Sequence, residues 1–141
     1  MKYLKIIAPV LILLITSCSA QNKSNNFDAI NYEAQTRGSM VKINVEDGKV
    51  HYKTYDSEET YELSQDQLGK LNDLVSEINL NEIKDLKTPS KNSATDRALI
   101  AKVSFKVKDK EYTSSTFDAG NPPKELKKLE NLLFLLAKLK E

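Results

Sequence analysis

Asp47 and Gly48 stand between two stretches that alternate apolar with polar residues, 41–45 and 50–54. A two-residue loop between antiparallel strands needs positive φ, and an Asp-Gly pair adopts it at low cost. With the pair at the tip, Glu46 faces Lys49, Val45 faces Val50, Ile43 faces Tyr52 and Val41 faces Thr54. Apolar side chains then share one face and opposite charges meet beside the turn. A chain holding this hairpin is committed to an antiparallel sheet with one buried face.

The flanking segments extend the same pattern. Ile30, Tyr32 and Ala34 alternate with Asn31, Glu33 and Gln35, which predicts a strand ending at Gly38. After an acidic turn at residues 56–59, residues 60–63 predict a further short strand. Ser64 and Gln67 have capping-box spacing, and Leu68, Leu71, Leu74, Val75 and Ile78 recur at helical intervals, so a helix is expected over residues 65–79, with one more turn restarting at Asn81. Ala101, Val103, Phe105 and Val107 alternate with Lys102, Ser104, Lys106 and Lys108, a strand that returns through Asp109 and Lys110 into residues 111–117. A leucine-rich helix is expected over residues 124–140, with Asn121 as its cap and Pro122 at the first position. Its stripe is Leu126, Leu129, Leu133 and Leu136, widened by Leu132, Leu135 and Leu139. The expected fold is α+β: an antiparallel sheet of five to six strands with two helices on one face, in the order ββββ-α-ββ-α.

The front of the chain has a different character. Lys2 and Lys5 precede an apolar run over residues 6–15, too short for a bilayer core, which needs ~20 residues. Ile15, Thr16, Ser17 and Cys18 have the form of a bacterial lipoprotein signal, in which the cysteine receives the lipid. Residues 1–17 are therefore expected to be removed, Cys18 to be lipidated, and residues 18–26, polar or small, to act as a tether. Residues 27–141 then form a single domain. Cys18 is the one cysteine, so acylation leaves no thiol for a disulfide, a metal or a nucleophile. Loss of Lys2 and Lys5 from 21 basic residues leaves 19 against 20 acidic, a balance that argues against nucleic acid as a partner. The expected membrane contact is the lipid, and Ser19 after the cysteine favours the outer membrane, facing the periplasm or the cell surface.

Catalytic chemistry has little to draw on. The one histidine, His51, falls on the polar face of the hairpin opposite Asn44, and the four glycines are too scattered to cradle a phosphate. No spacing of Asp, Glu, His or Cys suggests a metal site, and no cofactor is expected. The basic face of residues 101–108 and the hydroxyl-rich edge at residues 113–116 are candidate contact surfaces.

Two stretches are unusually specific for connectors: Thr36, Arg37, Gly38, and Phe117, Asp118, Ala119, Gly120, Asn121, Pro122, Pro123. Together with the lipoprotein signal and the order of strands and helices, they resemble small lipoproteins and exported proteins of flavobacteria and related Bacteroidetes. That resemblance covers nearly the whole mature chain and carries no assigned activity. The segment Asn92, Ser93, Ala94, Thr95, Asp96, Arg97 departs from it, being more aromatic and glycine-containing in those proteins. Arg37 and Asp118 are expected either to clasp two strand ends, with Gly38 and Gly120 allowing tight turns, or to form with Asn121 the floor of a binding site. The resulting expectation is a lipid-anchored, non-enzymatic envelope module that binds another envelope protein or a ligand. One rival is an inhibitor or immunity-type protein acting through the polar loop at residues 87–97; another is a hydrolase that gathers Asp96, Asp118 or Glu62 in a cleft.

Overall fold

A computed structural model describes residues 26–90 and 98–138. The expected signal segment, Cys18, most of the tether, the loop residues 91–97 and Leu139 lie outside the described residues. Asn26, the last tether residue, is within them: its N–H donates to Asn72 Oδ1 at 2.7 Å, and its side-chain amide donates to the Asn72 carbonyl at 3.3 Å.

The architecture is α+β, an open antiparallel sheet with two α-helices. The elements are β1 (Ala29–Gln35), β2 (Met40–Glu46), β3 (Lys49–Lys53), β4 (Glu58–Glu62), α1 (Gln65–Ser76), a 3-10 helix (Leu80–Asp85), β5 (Ile100–Val107), β6 (Lys110–Thr113), β7 (Phe117–Asp118) and α2 (Lys127–Leu136). The strands lie in the order β4-β3-β2-β1-β5-β6, and β7 pairs with β5 beyond the end of β6. The central strand β1 is thus flanked by a hairpin on one side and by a strand from the second half of the chain on the other.

Asp47 and Gly48 both take positive φ, 50° and 73°, and the hairpin has the register their placement requires from Glu46 opposite Lys49 to Ile43 opposite Tyr52. The ladder stops one pair short of Val41 and Thr54, at Lys42 opposite Lys53. Thr54 instead opens a turn: its N–H donates to the Ser57 carbonyl at 2.8 Å, and its Oγ1 accepts from the N–H groups of Asp56 and Ser57. That early turn lets β4 begin at Glu58, ahead of the expected Thr60. The other hairpin also turns one residue early, through Lys108 and Asp109, with Lys108 at φ 54°. The expected strand over residues 111–117 is two pieces, because Ser114 interrupts it: its Oγ accepts the N–H of Val103 where a continuous strand would pair.

Ser64 caps α1 with both bonds of the capping box. The leucine-rich helix departs from expectation at its start. It begins at Lys127, and Leu126 in the cap position makes no side-chain capping bond. Asn121 is engaged elsewhere: its N–H donates to the Asp118 carbonyl at 2.8 Å and its side-chain amide to Ser90 Oγ at 2.7 Å. Pro122 and Pro123 are buried in the approach to the helix, which closes with the Leu126 N–H on the Pro123 carbonyl.

One core fills the space between the sheet and the helices. Ile30, Tyr32, Ala34, Ile43, Val45, Val50, Ala101, Val103 and Phe105 come from one face of the sheet. Leu71 and Val75 of α1 and Leu129, Leu133 and Leu136 of α2 cover them. Leu135, counted in the stripe from sequence, is 70% exposed; Glu130 takes a place on the buried side instead.

Candidate functional site

The inward residues of the sheet form rows across the strands. One row is Val45, Ile30 and Phe105, the next Ile43, Tyr32 and Val103, and the last Val41, Ala34 and Ala101. The first two rows are comparably bulky, and the last, with two alanines, is small. α2 crosses above with Glu130 and Phe134, and the gap over the small row is a cavity of about 510 Å³. Its apolar walls are Ala34, Val41, Leu99, Ala119 and Phe134, and its polar members are Tyr32, Glu130, Lys127 and Asn131. The volume falls within the ~300–1,000 Å³ of small-molecule sites, which combine apolar walls with few polar groups.

Glu130 is 1% exposed. Its Oε1 accepts the Tyr32 hydroxyl at 3.2 Å and the Gly120 N–H at 3.1 Å. Oε2 has no hydrogen-bond partner among the described residues, and Lys127 Nζ lies 4.0 Å from it, beyond hydrogen-bond reach. Lys127 instead donates to the Gly120 carbonyl at 2.8 Å. Burial pushes the Glu130 carboxyl above its ordinary value, against the opposing pull of the Gly120 N–H, the Tyr32 hydroxyl and Lys127. Tyr32 is likewise raised, first by burial and then by the negative charge of Glu130. Its ring packs edge-on against Phe134, centroids 5.1 Å apart. The arrangement is a buried acid with one satisfied and one unsatisfied oxygen beside an apolar cavity.

The residues singled out from sequence fall into three places. Gly120 belongs to the cavity and needs to be glycine, since its φ is 80°. Asp118, 2% exposed, accepts the Ser90 hydroxyl through Oδ2, and Asn121 donates to that same hydroxyl. Thr36 and Arg37 border a separate groove on the opposite face of the sheet. The Arg37–Asp118 clasp is not formed: no ion pair joins the two, because β7 turns the Asp118 carboxylate toward Ser90 while Arg37 remains on the surface. Gly38 does not adopt positive φ; the turn there is held by Thr36, whose Oγ1 accepts the Gly38 N–H at 3.2 Å.

The proposed carboxylate cleft does not assemble from its described members. Glu62 lies on β4 and Asp118 on β7, at opposite sides of the sheet and five strand spacings of ~4.8 Å apart. Asp96 and most of the polar loop lie outside the described residues. His51 sits opposite Asn44 as expected and bonds through Nδ1 to Thr60 Oγ1 at 2.8 Å. The hydroxyls at residues 113–116 are largely engaged: Thr113 with Ser104, Ser114 with Val103, and Ser115 with the Leu86 carbonyl.

Glu130 is the residue that sequence patterning passed over. It lies four residues after Leu126 and three before Leu133, inside the buried stripe. An acid at an apolar helical position is the signal that marks it. Among the described residues no helix is long and apolar enough to cross a membrane, and no cluster of three or more His, Cys, Asp or Glu is placed to hold a metal ion. No protein family, curated protein or solved structure matches the chain.

Proposed function

We propose that the protein is a lipid-anchored, non-enzymatic component of the cell envelope, attached to the outer membrane through Cys18, whose domain takes a small apolar ligand between the sheet and α2. The observation that carries the ligand reading is the 510 Å³ cavity lined by Glu130, whose buried Oε2 has no hydrogen-bond partner among the described residues. A buried polar atom of this kind destabilises the empty protein by roughly 1–3 kcal/mol, and a ligand that supplies a partner removes that penalty. Lys127, half exposed, donates to the Gly120 carbonyl and lies 4.0 Å from Oε2, at the border of the cavity beside the acid. The envelope location is supported by the sequence of residues 1–18.

The ligand reading is tested on residues 18–141 carrying Cys18→Ser, titrated with cyclohexanol, cyclohexylamine and cyclohexanecarboxylate while backbone amide NMR spectra are followed. Saturable shifts confined to Ala34, Val41, Leu99, Ala119 and Phe134, lost in Ala34→Leu, are expected for at least one probe. Shifts that do not saturate, or that survive Ala34→Leu, would overturn it. Metabolic labelling with a radioactive fatty acid tests the anchor, the expected outcome being incorporation that disappears in Cys18→Ala.

A further inference from the structure

At the end of the sheet where β1 finishes and β5 begins, adjacent residues serve opposite faces. Ala34 and Leu99 line the cavity, whereas Gln35 and Ile100 line a groove of about 530 Å³ on the side away from the helices. On that outer face several polar side chains pair with one another, Glu33 and Lys102 of the groove among them. Glu33 bonds Lys42 at 2.8 Å and Lys102 at 3.4 Å, and Asn44 donates to Asn31 at 2.6 Å. Those two lysines hold the Glu33 carboxyl below its ordinary value, the hydrogen bond from Lys42 foremost.

The groove differs in two respects. Among the described residues three large apolar side chains are well exposed, and two of them, Tyr55 at 62% and Ile100 at 47%, border it. Arg37, between them, has no ion pair and no side-chain hydrogen bond among the described residues, although its guanidinium offers five donors. Aromatic residues and arginine are enriched at protein interfaces, and here exposed Tyr55 and Ile100 flank an arginine that has no partner among the described residues.

We infer that this groove docks an extended segment of a partner protein in which an acidic residue stands next to an apolar one. The carboxylate pairs with Arg37 in the bidentate geometry that arginine favours, and the neighbouring apolar side chain packs on Ile100, which sits beside the end of β1. The shape suits a chain better than a compact ligand. The groove's lining extends from Tyr55, just beyond β3, across the end of β1 and the start of β5 to Thr116, just before β7, a separation of four positions in the strand order. Four strand spacings of ~4.8 Å make roughly 19 Å, the length of about six extended residues. Glu33 and Lys102 also line the groove but pair with each other at 3.4 Å, so among the described residues Arg37 is the cation left to meet an incoming carboxylate.

The test selects a random twelve-residue peptide display library on the full chain purified in detergent. Enriched peptides are expected to share Asp or Glu beside an aliphatic or aromatic residue. Their binding should weaken about tenfold or more in Arg37→Ala and in Ile100→Asp, and remain unchanged in Lys110→Ala, at an exposed position of β6 outside the groove. Selection on Arg37→Glu should recover Lys or Arg in place of the acid. Because Arg37 and Ile100 are surface positions, unchanged melting of both variants separates lost docking from lost folding. No enriched motif, enrichment without an acidic residue, or binding indifferent to Arg37 and Ile100 would overturn the proposal.

Discussion

The hydroxyl of Tyr32 on the central strand donates to Glu130 on the last helix, 98 residues further along the chain, at 3.2 Å inside the core. This bond and the one from the Gly120 N–H tie strand, loop and helix to a single carboxyl oxygen. Contacts of such sequence separation are expensive to assemble and therefore report on the complete fold.

Removing the acid should expose that dependence. Glu130→Leu leaves the Tyr32 hydroxyl and the Gly120 N–H without acceptors, and a net loss of about 2 kcal/mol is expected after the relief of burying the carboxyl is set against it. Glu130→Gln keeps a carbonyl oxygen for both donors and should change stability by less than about 1 kcal/mol. The double variant Tyr32→Phe with Glu130→Leu should recover part of the loss, because the stranded hydroxyl is gone. Urea denaturation midpoints at pH 7 measure all three.

The same carboxyl sets a pH dependence. Its folded value lies above the ordinary 4.5, so the folded state binds the proton more tightly than the unfolded chain. Its contribution is fully present below 4.5 and is lost as pH rises through the folded value. Glu33 acts in the opposite sense: its lowered value gives stability present above 4.5 and lost as pH falls through the folded value. Chemical denaturation across pH 4 to 8 should therefore show a decline on the alkaline side of 4.5 that Glu130→Gln flattens and a Glu33→Gln variant leaves in place. A decline of equal size in Glu130→Gln would assign it to other groups.

Glycines 48 and 38 should respond differently to substitution. Gly48 has φ 73°, and a Cβ there would meet only Leu68 Cδ1 at 3.9 Å, an ordinary contact. The cost of Gly48→Ala is thus backbone strain, about 1–2 kcal/mol. Gly38 lacks positive φ, and nothing lies within 4 Å of a Cβ placed on it. Gly38→Ala should fall within about 0.5 kcal/mol of the unaltered protein. Thermal melting of the two variants under one buffer distinguishes a turn that requires glycine from one held by the Thr36 side chain.

Local chemistry is what the chain states most openly. Alternation marks the inward residues of β1, β2 and β5, the Asp-Gly pair sets the β2–β3 register, and Ser64 with Gln67 marks the start of α1. Each of these depends on neighbours within a few positions, so each is visible in sequence and survives into the fold. The end of the β2–β3 ladder and the break at Ser114 were decided by side chains that take up backbone N–H groups, Thr54 in the turn and Ser114 at the edge, and the Asn121 side chain, which could have capped α2, donates instead to the Ser90 hydroxyl.

The candidate site belongs to tertiary structure almost entirely. Sequence by itself determined that Val41, Ala34 and Ala101 point inward, but the cavity exists because antiparallel pairing sets those small residues side by side beneath α2. It also determined that Arg37 is basic and Asp118 acidic. Only the turn into β7 decided that the acid bonds Ser90 while the arginine stays outside, over a groove on the other face. The physical reason is common to both cases: composition and period select a face, whereas partners for buried polar groups are chosen by long-range packing, which brings together residues as distant as Tyr32 and Glu130.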